Sequence, residues 1–166
     1  MKQQFNLQNR KSIRLQNHDY SSVGLYFITI TTKGRLPLFG KIVDSMMQIN
    51  DAGITAKECW LKIPDHFPNA FLHEFVIMPD HIHGIIELTQ KDDNILRYHE
   101  FGKITPKSLA SIVRGFKIGV TKWFRKQRAD SIWQRGFYES IIRDKKSFIN
   151  ITKYIIDNPK NWKSID

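Results

Sequence analysis

At 166 residues the chain is long enough for one domain with a sizeable hydrophobic core, and eleven Phe and four Trp supply the apolar bulk for it. The 26 Lys and Arg against 16 Asp and Glu leave a formal charge of +10, which points to a polyanionic partner, nucleic acid before an anionic membrane. No apolar run approaches the roughly 20 residues of a membrane span, the N-terminus is polar rather than signal-like, and the single Cys59 allows neither an internal disulfide nor a thiolate metal cluster, so a cytoplasmic protein with no membrane partner is expected.

Residues 1–22 are polar, with Arg10, Lys11 and Arg14 beside Ile13 and Leu15. The segment reads either as a solvated tail or as a basic arm that follows a phosphate backbone, ahead of one domain over 23–166. From Leu25 to Thr32, LYFITITT alternates Tyr26, Ile28 and Ile30 against Phe27, Thr29 and Thr31, which predicts a strand. Lys33-Gly34-Arg35 turns the chain, and 38–49 fits a short edge hairpin. Asp51 offers an N-cap for a helix through Ile54, Cys59, Trp60 and Leu61 that stops before Pro64.

The segment 71–88, FLHEFVIMPDHIHGIIEL, reads as two strands around the turn Met78-Pro79-Asp80. A period of two then puts His81 and His83 on one face, aimed at one volume of space, a geometry that suits a divalent metal. Satisfied or surface histidines give the same pattern, and the apolar strands and Gly84 around the pair favour the site.

Residues 89–105 read as a loop. After Pro106, a helix places Leu109, Ile112, Val113, Phe116, Val120, Trp123 and Phe124 on one buried stripe. At about 100° per residue, Arg114, Lys117, Arg125 and Arg128 fall within an arc of about 80° beside it. With no acidic residue from Pro106 to Arg128, this reads as a phosphate track, against the plain alternative of a solvated face. Ile132 to Ile142 predicts a strand with a bulge at Gly136. Asp144 to Ile156 predicts a last helix, capped by Asp144 and closed by Pro159, with Phe148, Ile151 and Ile155 buried and Tyr154 and Asn158 on another face.

The order strand, helix, strand, strand, helix, strand plus a C-terminal helix predicts an α+β fold: a ferredoxin-like split βαββαβ sandwich with an antiparallel sheet, whose extra C-terminal helix carries Tyr154.

MPDHIHG between apolar strands, a basic helix with RGFK, WQRGFYESIIRD and a terminal YIIDNP, in that order over about residues 10–162, resemble the REP-associated tyrosine transposases, relatives of the single-tyrosine HUH transposases that act on single-stranded DNA. The resemblance implies that His81 and His83 hold a catalytic ion, Mg2+ or Mn2+, that Asn158 completes the metal site, and that Tyr154 is the nucleophile. It also implies a 5′-phosphotyrosine intermediate with a free 3′-OH, a single-stranded or REP-like hairpin DNA partner, and a monomer or homodimer. Asp80 departs from the asparagine expected before the first histidine; the carboxylate either tightens metal binding or caps the turn. The residues leave the general base open between Lys153 and a metal-bound water. Two other readings stand beside this one. A DNA- or RNA-binding module with an inert site would bind without cleaving, and a hydrolase using His81, His83 and Asp80 would cleave without Tyr154.

Overall fold

The computed structural model describes residues 23–89, 108–126 and 132–162. Arg10, Lys11 and Arg14 of the expected arm, most of the expected 89–105 loop, and Arg128 lie outside the described residues.

The fold is α+β, built on a four-stranded sheet. In chain order, β1 is Gly24–Thr31, β2 Gly40–Val43, β3 Met46–Ile49, α1 Asp51–Leu61, α2 Ile63–His66, β4 Ala70–Ile77, β5 His81–Leu88, α3 Leu109–Lys126, β6 Tyr138–Ile142 and α4 Lys145–Asp157. The sheet runs β4-β5-β1-β6, and every neighbouring pair is antiparallel. Each helical crossover therefore skips a strand, the interleaving that two split βαβ units produce. β2 and β3 pair separately as the expected hairpin, and positive φ at Asp44 and Ser45 marks a two-residue turn.

Alternation along β1 divides the molecule. Tyr26, Ile28 and Ile30 are fully buried in the main core with Trp60 of α1 and Ile112, Phe116 and Val120 of α3. Phe27 points the other way, toward the smaller cluster of Ile85, Ile142 and Ile155 that seats α4. The helices thus cover opposite faces of the sheet. Gly84 lies on the main-core face, where an added Cβ would stand 2.3 Å from the Trp60 ring. A register shift between Leu72 and Phe75 brings Phe75 opposite Gly84 and lets it stack on Trp60 with ring centroids 5.6 Å apart.

Two local expectations change and a third is extended. Asn50, not Asp51, is the N-cap of α1: its side chain reaches the Gly53 N–H at 3.0 Å. α1 does stop before Pro64, at Leu61, but Pro64 then sits in the first turn of a further short helix, α2, since proline is tolerated there. The strand predicted over 132–142 is split, with Trp133 making an isolated bridge to Thr32 and β6 starting only at Tyr138, because Gly136 turns the backbone at φ +76°. Asp144 caps α4 as expected, accepting from the Ser147 N–H at 2.8 Å.

Candidate active site

β1 pairs with β5 so that Thr31 opposes His81 and Thr29 opposes His83. Both rings therefore stand on the α4 face, 4.4 Å apart between centroids and inclined by 68°, and each residue is only 6% exposed. Burial raises the cost of leaving their nitrogens unpaired, and each Nδ1 has a partner. His81 Nδ1 lies 2.5 Å from Asp80 Oδ1, and His83 Nδ1 lies 2.8 Å from Thr29 Oγ1. The paired histidines thus keep their Nε2 atoms for whatever occupies the site, the arrangement by which outer partners orient metal-ligating imidazoles.

Asp80 is 2% exposed, and its second oxygen accepts from Arg35 Nε at 2.9 Å. Its backbone carbonyl accepts from the Thr32 N–H at 2.9 Å, which ties the turn before β5 to the end of β1. The unexpected carboxylate therefore orients His81 and joins it to Arg35.

α4 brings Tyr154 to the same place. Its hydroxyl lies 3.2 Å from His83 Nε2, while the residue remains 50% exposed. Phe27 stacks on His83 at 5.3 Å and meets the Tyr154 ring edge-on at 6.1 Å, so one side chain locates both. Burial, then the neighbouring His81 and Arg35, lowers the His83 pKa to about 3, against the opposing pull of Asp80. The ring is thus neutral at pH 7, and with the Tyr154 O–H donating to Nε2, its own proton sits on Nδ1 and is donated to Thr29. Asn158, the C-cap of α4, is 8% exposed. Four residues on, Trp162 lies over His81 with centroids 5.6 Å apart and planes at 31°.

The donor set fits a divalent ion in part. Two anchored imidazoles are suitable ligands, but among the described residues no three His, Cys, Asp or Glu side chains converge on one point. A third protein ligand would have to be of another type, such as the Asn158 amide oxygen.

The α3 stripe belongs to the other layer. Arg114 and Arg125 are exposed and line a groove of about 560 Å³ with Lys117, Lys122, Ile118 and Phe137. Lys117 is half-buried: its ammonium donates to the carbonyls of Gln134 at 3.0 Å and Gly136 at 2.6 Å, and lies 5.7 Å from the Trp133 ring centroid. Burial lowers its pKa to about 8. It braces the turn before β6 while its charge borders the groove. Sequence reading missed Thr29, Arg35 and Trp162 as parts of the site. Only Thr29 carried a signal, as a hydroxyl placed among aromatic and aliphatic neighbours on β1.

No family model matches the chain. It is 46% identical over 164 residues to an uncharacterized protein of Haemophilus influenzae, covering 94% of this chain and 91% of that one. It is 31% identical over 142 residues to a second Haemophilus influenzae protein, named "Putative REP-associated tyrosine transposase", covering 85% of this chain and 73% of that one. Among solved structures, a REP-associated tyrosine transposase bound to a REP hairpin superposes with a TM-score of 0.64 at 21% identity, covering 90% of this chain and 74% of the other, a likeness of fold.

Proposed function

The chain belongs to the REP-associated tyrosine transposases, and we propose from that premise that it is a metal-assisted enzyme that nicks and rejoins single-stranded DNA through Tyr154. The observation that carries this reading is the 3.2 Å approach of the Tyr154 hydroxyl to Nε2 of His83. It joins a half-exposed phenol on one element to a buried imidazole on another, and packing of isolated side chains does not require that contact.

In the proposed reaction the Tyr154 oxygen attacks phosphorus. A Tyr–O–P bond forms and the phenol proton passes to solvent water, the P–O3′ bond breaks, and the departing 3′ oxygen takes a proton from water to become a free 3′-OH. The 5′-phosphotyrosine keeps the energy of the phosphodiester, so a 3′-OH reverses the step without ATP. His83 Nε2 has one lone pair, which either accepts the phenol proton or ligates a metal. A ring with a pKa near 3 is a poor proton store and a suitable ligand. We therefore assign Mg2+ or Mn2+ to His81, His83 and Asn158. When bound, the ion would offset the charge that develops on the phosphate oxygens.

Thr29, Asp80 and Phe27 orient the rings, and Tyr154 keeps the exposure that a DNA strand needs to reach it. The solved relative is bound to a REP hairpin, which supports hairpin DNA as the substrate. Arg10, Lys11, Arg14, Arg114, Arg125 and Arg128 would contact phosphates as single-strand or hairpin DNA wraps the domain, with Lys117 at the groove edge. Residues 1–22 would serve as the arm and 23–166 as the catalytic domain, acting in the cytoplasm.

The test is incubation with labelled hairpin oligonucleotides from the DNA flanking the gene, with Mn2+ or chelator, on a denaturing gel. A metal-dependent protein–DNA band that disappears in Tyr154→Phe is the expected result. An unchanged band in Tyr154→Phe, or cleavage with no attached protein, overturns the assignment. Tight binding with neither band nor cleavage identifies the binding module instead.

A further inference from the structure

Next to the histidines, a second cleft of about 490 Å³ opens between the Lys33–Arg35 turn, the β2 end of the hairpin and Trp162. That volume lies within the range of about 300–1,000 Å³ typical of small-ligand sites. Its walls are of three kinds. Pro37, Pro79 and Ile42 are apolar, Arg35 and Lys41 are cationic and exposed, and Trp162 offers an indole. Asp80 also lines the cleft and pairs with Arg35 through Nε at 2.9 Å, which offsets part of the Arg35 charge and leaves Lys41 as the cation that Asp80 does not compensate. The cleft borders the active site, because Trp162 lies over His81 and Asp80 is bonded to the same ring.

We propose that this cleft is a nucleotide subsite: Trp162 stacks on one unpaired base beside the scissile phosphate, and Arg35 and Lys41 hold the adjoining backbone phosphate. The inference rests on the DNA-nicking reading above and adds the residues that seat the strand. An aromatic platform flanked by cations is what single-stranded nucleic acid requires, since every base presents a π face and every linkage a negative charge. Duplex DNA cannot use the platform, because its bases are already stacked. A subsite of this kind would therefore select the unpaired flank over the hairpin stem. Lys41 lies on β2, so the hairpin, which also packs Met47 and Ile49 against the main core, lends the cleft one of its cations.

The experiment is a two-way cycle of binding measurements with the full-length chain carrying Tyr154→Phe, which prevents cleavage. The probe is the hairpin oligonucleotide with its unpaired flank, and each flank nucleotide in turn is replaced by an abasic residue. One abasic position should weaken binding about tenfold, and Trp162→Ala should weaken binding to intact DNA about tenfold. Together they should cost no more than either alone. Trp162→Leu, which keeps apolar bulk over His81, should behave as Trp162→Ala does, so that loss of packing is separated from loss of stacking. Effects that multiply to about a hundredfold, no sensitive abasic position, a Trp162→Leu protein that binds as the parent does, or no binding at all would each overturn the subsite. The adduct assay on the Tyr154 protein reads the nicking chemistry separately: an adduct with multiplicative effects leaves nicking standing and removes the subsite. A coupled cycle with no adduct does the reverse.

Discussion

Asp80→Asn is the substitution that most directly tests how the site is held. Asp80 accepts from His81 Nδ1 at 2.5 Å and from Arg35 Nε at 2.9 Å while 2% exposed. Both partners are donors, and an asparagine offers one acceptor oxygen and one donor NH2, so either Arg35 faces the NH2 or His81 takes the tautomer with its proton on Nε2, which removes that nitrogen as a ligand. A charged hydrogen bond is worth about 1.5–3 kcal/mol, and because the Arg35 side chain is 47% exposed and can take up water, the net cost should fall to about 1–2 kcal/mol. In a domain of this size that lowers the melting midpoint by about 2–8 °C. The functional loss should exceed the stability loss, since removing an outer partner of a metal-ligating histidine typically costs about 10- to 100-fold in metal affinity. Calorimetry reads the first quantity, and the Mn2+ concentration that half-saturates adduct formation reads the second. Unchanged midpoint and unchanged Mn2+ requirement would refute the coupling of His81 to Arg35 and reduce Asp80 to a turn residue.

Two further perturbations test the support on the other face of the sheet. Gly84→Ala should destabilise the fold by about 1–3 kcal/mol, because the new Cβ would meet Trp60 Cζ2 at 2.3 Å and Cη2 at 2.6 Å in a fully buried ring, and a melting midpoint equal to the parent's would contradict it. Lys117→Met should change the pH profile of stability. With the folded pKa near 8 and the ordinary value 10.5, the unfolded chain binds more protons between those values, so Lys117 makes stability rise with pH across that window. The parent should gain on Lys117→Met between about pH 8 and 10.5 in chemical-denaturation curves, and a flat difference there would show that the two carbonyls keep the ammonium charged.

What was legible followed from periodicity. The period of two at His81 and His83 and the 3/4 spacing of α3 each state which way a side chain points, and the structure keeps both faces. Register was not legible. Nothing along β1 alone says that Thr29 will stand opposite His83 rather than one pair away, because that depends on which strands become neighbours. Arg35 and Trp162 lay further out of reach, being brought to the histidines by a tight turn and by the chain beyond α4. The cap of α1 was misread by one residue because Asn50 and Asp51 are both competent N-caps, and the backbone at Asn50 is the extended one.

The division of labour between the two sheet faces accounts for why a buried pair of histidines is affordable here. β1 spends Tyr26, Ile28 and Ile30 on the main core, and β5 spends Ile82 and Ile86 there, with Gly84 admitting Trp60 between them. The opposite face carries the smaller cluster of Ile85, Ile142 and Ile155 under α4, with partly buried neighbours such as Phe27 and Phe148, which leaves room along the same strands for Thr29, His81 and His83. Polar groups at 6% exposure destabilise a fold unless each is paired, and Asp80, Thr29 and Tyr154 supply those pairs without drawing on the main core. Because Tyr154 is at once the partner of His83 and half open to solvent, a strand that engages its hydroxyl must also alter the environment of His83. Under the proposed function, DNA contact at Tyr154 and the state of His83 would therefore be coupled through a single hydrogen bond.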